Sequence, residues 1–225
     1  MHFWHVLPYF MLPFPPIPNL LLGYEPITGT EADLLARVPQ HHYAPELAAI
    51  QAPARRVQYL AVRALAHSLA PWPADQYVIR APNGHPAWHT GEGHLTLAHT
   101  DGHVAAAWHP DKRIGIDVED TTRLRSSAMA RMFLNDRDQL LFQQRQEDAR
   151  FFYLHWTAKE ALYKAVSNVD KGLSFKRHIW IDTPEGAIPE QGETTGTVID
   201  GEVHILFRVV YSFIGTVLVT YAVED

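Results

Sequence analysis

The chain reads as an α+β protein, and three features of its sequence say so. Asp101-Gly102 stands between two apolar runs, Leu95–His99 and Val104–Trp108, which is the turn chemistry of a β-hairpin. Helical spacing runs through Glu46–Leu69 and, more broadly, Ser127–Asn168. At the C-terminus Val217, Val219, Tyr221 and Val223 alternate with Thr216, Leu218, Thr220 and Ala222, the period-2 pattern of a strand. Strands and helices in separate blocks, rather than in strict alternation, point to antiparallel sheets packed on helices.

In chain order, the apolar N-terminus Met1–Leu12 is expected to be a first core strand leading into a proline-rich connection. It has no basic start or small-residue cleavage site, and Pro8, Pro13, Pro15, Pro16 and Pro18 break it, so it does not read as a signal peptide. The helix of Glu46–Leu69 sets Leu60, Ala64 and Leu65 on an apolar side and is ended by Pro71 and Pro73. A loop with Pro82, Gly84 and Pro86 follows. The Asp101-Gly102 hairpin then passes through Pro110-Asp111-Lys112 into Arg113–Glu119, and three consecutive antiparallel strands are expected. The helical middle has a polar break near Gln143–Asp148; strands return around Lys176–Ile181 and Thr195–Ile199 and in two C-terminal runs. Arg208 and Gly215 interrupt the apolar stretch Val203–Val223, which reads as two buried strands and not a membrane span.

Composition narrows the function classes. At 225 residues, 47% hydrophobic and 20% charged, the chain has the make-up of a soluble globular protein of one large or two small domains. A net charge of −6 argues against nucleic-acid binding, which needs a basic footprint. Cysteine is absent, so disulfides, thiol nucleophiles and cysteine-ligated zinc are excluded, and a cytoplasmic, reducing location is expected.

Two segments carry the chemistry. In Gly115-Ile116-Asp117-Val118-Glu119, strand alternation places Asp117 and Glu119 on one face. Paired carboxylates repel, and a hard divalent ion such as magnesium relieves that repulsion through oxygen ligands. Asp200-Gly201-Glu202 has the same spacing and reads only as a turn, so the spacing alone is weak. In Trp156–Ala165, Trp156, Glu160 and Lys164 recur every four residues on one helical stripe. Packed over the strand, that stripe would add Glu160 as a third acid and bring Lys164 to the same phosphate. The bland alternative is a surface Glu-Lys pair beside a core tryptophan. His99 and Thr100 end their strand beside the Asp101-Gly102 turn, a placement that suits a phosphate-binding rim. Histidine is plentiful, at 14 residues, with His85, His89, His94, His99, His103 and His109 in one stretch. A zinc site is therefore the rival reading, although no H-E-x-x-H or comparable spacing appears.

Taken together, G-I-D-V-E at Gly115–Glu119, followed about forty residues later by W-x-x-K-E-A-x-x-K-A at Trp156–Ala165, resembles the 4′-phosphopantetheinyl transferases in their larger single-chain form. Leu95–Trp108 is similar to that family's strand-histidine-strand element, with Ala98-His99-Thr100 where serine-histidine-serine is usual. Gly84-His85-Pro86 falls where glycine-lysine-proline is common, and Lys171-Gly172-Leu173 matches a further element. The resemblance spans roughly Arg55 to Leu173.

It implies two similar α+β halves related by a pseudo-twofold, 1–110 with nucleotide contacts and 111–225 with metal and catalytic residues. Coenzyme A would lie in the cleft between them. The implied reaction is magnesium-dependent transfer of 4′-phosphopantetheine from coenzyme A to a serine of an acyl or peptidyl carrier protein, with adenosine 3′,5′-bisphosphate released. Asp117, Glu119 and Glu160 would hold the metal; Glu160, Lys164 and Asp117 would be catalytic, with Glu160 as ligand or base. Arg56, Arg63, Gly84, Pro86, His99, Thr100, Lys159 and Lys164 would contact coenzyme A. Arg55 belongs to the same basic set, and Arg56 and Arg63 are preferred because Leu60-Ala61-Val62-Arg63 is similar to a family segment. A surface of Met129, Met132, Phe133 and Leu134 near Arg123, Arg125 and Arg131 would receive the carrier protein, unless these are core residues of the next helix. The larger form leans towards secondary metabolism, and a monomer suffices. A homologue that binds coenzyme A or a carrier protein without turnover is the alternative.

Overall fold

Antiparallel pairing organises the computed structural model, which describes residues 17–123, 126–166 and 172–225. The first sheet has the order β1-β5-β4, built from β1 (Leu21–Pro26), β4 (His94–Thr100) and β5 (His103–His109). The second has the order β6-β10-β9-β8-β7, from β6 (Ile114–Asp120), β7 (Ile179–Ile181), β8 (Gln191–Asp200), β9 (Val203–Ile214) and β10 (Val217–Glu224). A small hairpin pairs β2 (Val78–Arg80) with β3 (Pro86–Trp88). The helices are α1 (Glu31–Leu35), α2 (Gln40–Ala49), α3 (Pro53–Ser68), α4 (Ser127–Phe133), α5 (Asp136–Gln144) and α6 (Ala149–Val166).

The Asp101-Gly102 hairpin forms as expected, with Thr100 opposite His103 and Gly102 at φ +79°. The third strand of the expected trio does not join it. β1 occupies the free edge of β5, and β6 pairs instead with β10 in the second sheet. The two sheets meet where the Ile116 amide donates to Thr96 Oγ1 at 3.2 Å. They also share a core, in which Ala98, Ala105 and Ala107 pack with Ile116, Val118, Val219 and Tyr221.

The helical expectations need smaller corrections. Glu46–Leu69 is two helices, because Pro53 starts α3 at its first turn and the chain is extended at Ile50. The middle region breaks at Leu134-Asn135 as well as at the polar break, since Asn135 caps α5 by accepting from the Asp138 amide at 2.8 Å. The segment expected as a loop around Pro82 and Gly84 turns out to be the β2–β3 hairpin, with Gly84 at φ +85° in its turn. Met1–Leu12, Arg125 and Lys171 lie outside the described residues.

One close approach sets the geometry of the site. A Cβ on Gly115 would stand 1.8 Å from the Ala161 carbonyl oxygen and 2.8 Å from the Ala165 amide nitrogen. With no side chain there, α6 lies directly on β6, and Asp117 and Glu119 project towards it.

Candidate active site

The carboxylates of β6 and the stripe of α6 face one another. Lys164 Nζ donates to Asp117 Oδ1 at 2.6 Å and to the Ile116 carbonyl at 3.1 Å. Trp156 Nε1 donates to Glu119 Oε1 at 2.9 Å. Glu160 sits between these contacts on the helix. Burial first, then the nearby Asp117 and Glu119 carboxylates, push its acid up to about 7, against the opposing pull of Lys164. Burial also raises Asp117, although Lys164 works in the other direction.

The residues fit a divalent cation by two observations. The Asp117 and Glu119 carboxylates disfavour ionisation of Glu160, and Asp117 Oδ2 is buried with no hydrogen-bond partner among the described residues. Among those same residues, no three of His, Cys, Asp or Glu stand in ready ligand geometry. Lys164 and Trp156 hold two of the acids instead.

His99 lies within the same electrostatic neighbourhood. Its imidazole is held below the ordinary range by desolvation and by the Lys164, Arg55 and Arg63 cations, with Asp117 opposing them. Arg63 lies over the Tyr59 ring, 3.4 Å from its centroid, and pairs with Glu46 at 3.7 Å. Arg56 looks elsewhere: its Nε donates to Glu31 at 2.8 Å and its Nη1 to the Leu47 carbonyl at 2.9 Å. Arg56 and Arg63 are seven residues apart and nearly in phase on α3, so it is the Glu31 carboxylate and the Leu47 carbonyl that hold Arg56 away. Thr100 also turns away, because strand alternation buries it, at 7% exposure, on the face opposite His99.

Lys159 is the clearest departure. It is wholly buried, and its ammonium donates to the carbonyls of Phe133, Phe175 and Ile179 at 3.2, 2.9 and 2.9 Å. No surface remains to meet coenzyme A. The expected docking surface divides in a similar way, with Phe133 and Leu134 in the core, Met129 packed against it, and Met132 77% exposed. Arg123 pairs with Asp101.

A cleft of about 960 Å³ opens between the β2–β3 turn, the starts of β4 and β6, the end of α6 and the β8–β9 turn. Pro86 and His85 line one wall and Lys164 another. Asp117, Glu119 and Glu160 are not in its lining, so Lys164 marks the border between the cleft and the carboxylates. Among the described residues, no helix is long and apolar enough to cross a membrane.

Residues 113–211 match the model of the 4′-phosphopantetheinyl transferase superfamily, a stretch that contains β6, α6 and every acid of the site. The matched stretch is less than half of the chain, and the similarity is confined to it. Among solved structures, the holo-[acyl-carrier-protein] synthase of Thermotoga maritima is similar, at 22% identity and a TM-score of 0.40. That match covers 50% of this chain and 62% of the synthase, less than two thirds of its length. No curated protein matches.

Sequence reasoning did not assign two of these contacts. Trp156 is the partner of Glu119, and its place on the Glu160 stripe was the available signal. Arg55, one of the basic set read from the sequence, acts with Arg63 on the His99 imidazole.

Proposed function

We propose that this chain moves the 4′-phosphopantetheine arm of coenzyme A onto a serine hydroxyl of an acyl or peptidyl carrier protein, releasing adenosine 3′,5′-bisphosphate. The observation that carries this reading is the convergence of Asp117, Glu119, Glu160 and Lys164 inside the segment that matches the superfamily. We assign nucleotide contacts to 1–110 and the metal and catalytic residues to 111–225.

Asp117, Glu119 and Glu160 would hold magnesium, with Lys164 withdrawing from Asp117 towards phosphate. Such an ion supplies neutralisation of the charge that grows as the phosphoanhydride breaks. Lys164 lines the cleft border and would meet the departing phosphate. The serine oxygen bonds to phosphorus, the anhydride P–O bond breaks, and the serine proton passes to Glu160. A carboxylate that titrates near 7 suits a general base at neutral pH. His99, beside the Arg63 and Arg55 cations, receives the remaining nucleotide phosphate; Pro86 lines the cleft wall, and Gly84 turns the hairpin next to it. Arg56, Thr100 and Lys159 have no part in this contact set.

Chromatographic assay of adenosine 3′,5′-bisphosphate tests the reading. Release is expected only with an apo carrier protein, coenzyme A and magnesium together. Tight coenzyme A binding with no release across several apo carriers would favour a silent homologue.

A further inference from the structure

The buried Lys159 has a use that its surroundings define. An ammonium has three N–H donors, and here all three go to backbone carbonyls, of Phe133, Phe175 and Ile179. Phe133 is the last residue of α4, where helix carbonyls lack partners within the helix. Burying an ammonium costs free energy, and the cost is offset only where every donor is matched.

Two of the residues so tied also flank the tryptophan of the site. The Phe133 ring meets the Trp156 ring at 5.2 Å and 70°, and the Phe175 ring meets it at 6.0 Å and 49°. Trp156, fixed between them, donates its indole N–H to Glu119. The path is continuous, from Lys159 to two backbone carbonyls, to two phenyl rings, to one indole, to one carboxylate.

We propose that Lys159 is a positioning residue for Glu119, acting through Phe133, Phe175 and Trp156. The proposal rests on the reading of Glu119 as a ligand of the divalent cation. Lys159 fixes where two segments from opposite ends of α6 close on the indole. Losing the tie frees Phe133 and Phe175 to separate, the indole to rotate and Glu119 to leave its preset orientation.

The test reads the indole directly. In the ¹H–¹⁵N spectrum the Trp156 indole signal is assigned by its absence in Trp156→Phe. In Lys159→Met this signal is expected to shift or broaden while those of Trp72 and Trp88, in the other core, stay fixed. Mn²⁺ affinity, measured by electron paramagnetic resonance, is expected to fall about tenfold, as for other groups that orient metal ligands. Trp156→Phe should show a similar loss, and the double variant no further loss, because both changes break one path. A folded Lys159→Met with an unmoved indole signal, or with wild-type Mn²⁺ affinity, overturns the proposal. Should that variant not fold, Phe175→Leu decides: it keeps the carbonyl and removes one flanking ring, so it must move the indole signal, and an unmoved signal overturns the proposal. If the unsubstituted protein binds no Mn²⁺, the cation reading falls, and the indole signal still decides the role of Lys159.

Discussion

Gly115 and Ala161 are in backbone contact: the missing Cβ of the glycine would fall 1.8 Å from the alanine carbonyl oxygen. This contact lets α6 rest on β6, and every approach between the two carboxylates and the helical stripe depends on it.

Gly115→Ala is therefore expected to push the helix away from the strand. Overpacking of a core costs about 1–3 kcal/mol when side chains can adjust, and here the obstruction is backbone, so a loss near the top of that range is expected. Urea midpoints and turnover measured on the same preparation check this, with turnover falling further than stability.

Lys164 and Asp117 form a pair that is mostly removed from water, with side chains 27% and 10% exposed. Lys164→Met leaves a buried carboxylate without its cation and is expected to cost roughly 2 kcal/mol, since an unpaired buried charge is worse than none. Adding Asp117→Asn should restore most of that stability but no activity. A Lys164→Met midpoint equal to that of the unsubstituted protein would show that the pair contributes nothing to the fold.

The two motifs were legible because each is local. Alternation fixes the shared face of Asp117 and Glu119, and a four-residue spacing fixes that of Trp156, Glu160 and Lys164. The pairing of β6 was not, because its partner β10 lies a hundred residues on, and nothing local distinguishes that from another hairpin. Lys159 misled for a different reason, as lysine is rarely buried. A signal existed in its neighbours, since His155 and Leu162, one turn either side, are also fully buried. That places Lys159 on the apolar face of α6.

His67 gives the fold a pH dependence independent of the site. Burial lowers its imidazole to about 4, and Nε2 lies 3.0 Å from the Tyr43 hydroxyl. Above the unfolded value of about 6.5 neither state is charged. As pH falls from there to about 4, the unfolded chain takes up a proton that the folded chain refuses, so stability declines through that window. Urea midpoints at pH 7.5, 6 and 5 should fall less steeply in His67→Gln; parallel profiles would remove His67 from the effect.

Glu160→Gln keeps the size of the side chain and removes its basicity. Turnover is expected to fall by about 10²–10⁴, the usual contribution of a general base, with an unchanged circular dichroism spectrum. Single-turnover rates check it, and a rate within a few-fold of the original would take Glu160 out of the proton transfer.

The most direct measurement is the intact mass of an apo carrier protein after incubation with this chain, coenzyme A and magnesium, alongside EDTA and Glu160→Gln controls. One phosphopantetheine arm gained with the unsubstituted protein, and in neither control, is the expected result. An unchanged carrier mass, or an arm gained equally with EDTA present, would contradict a transferase built on Asp117, Glu119 and Glu160.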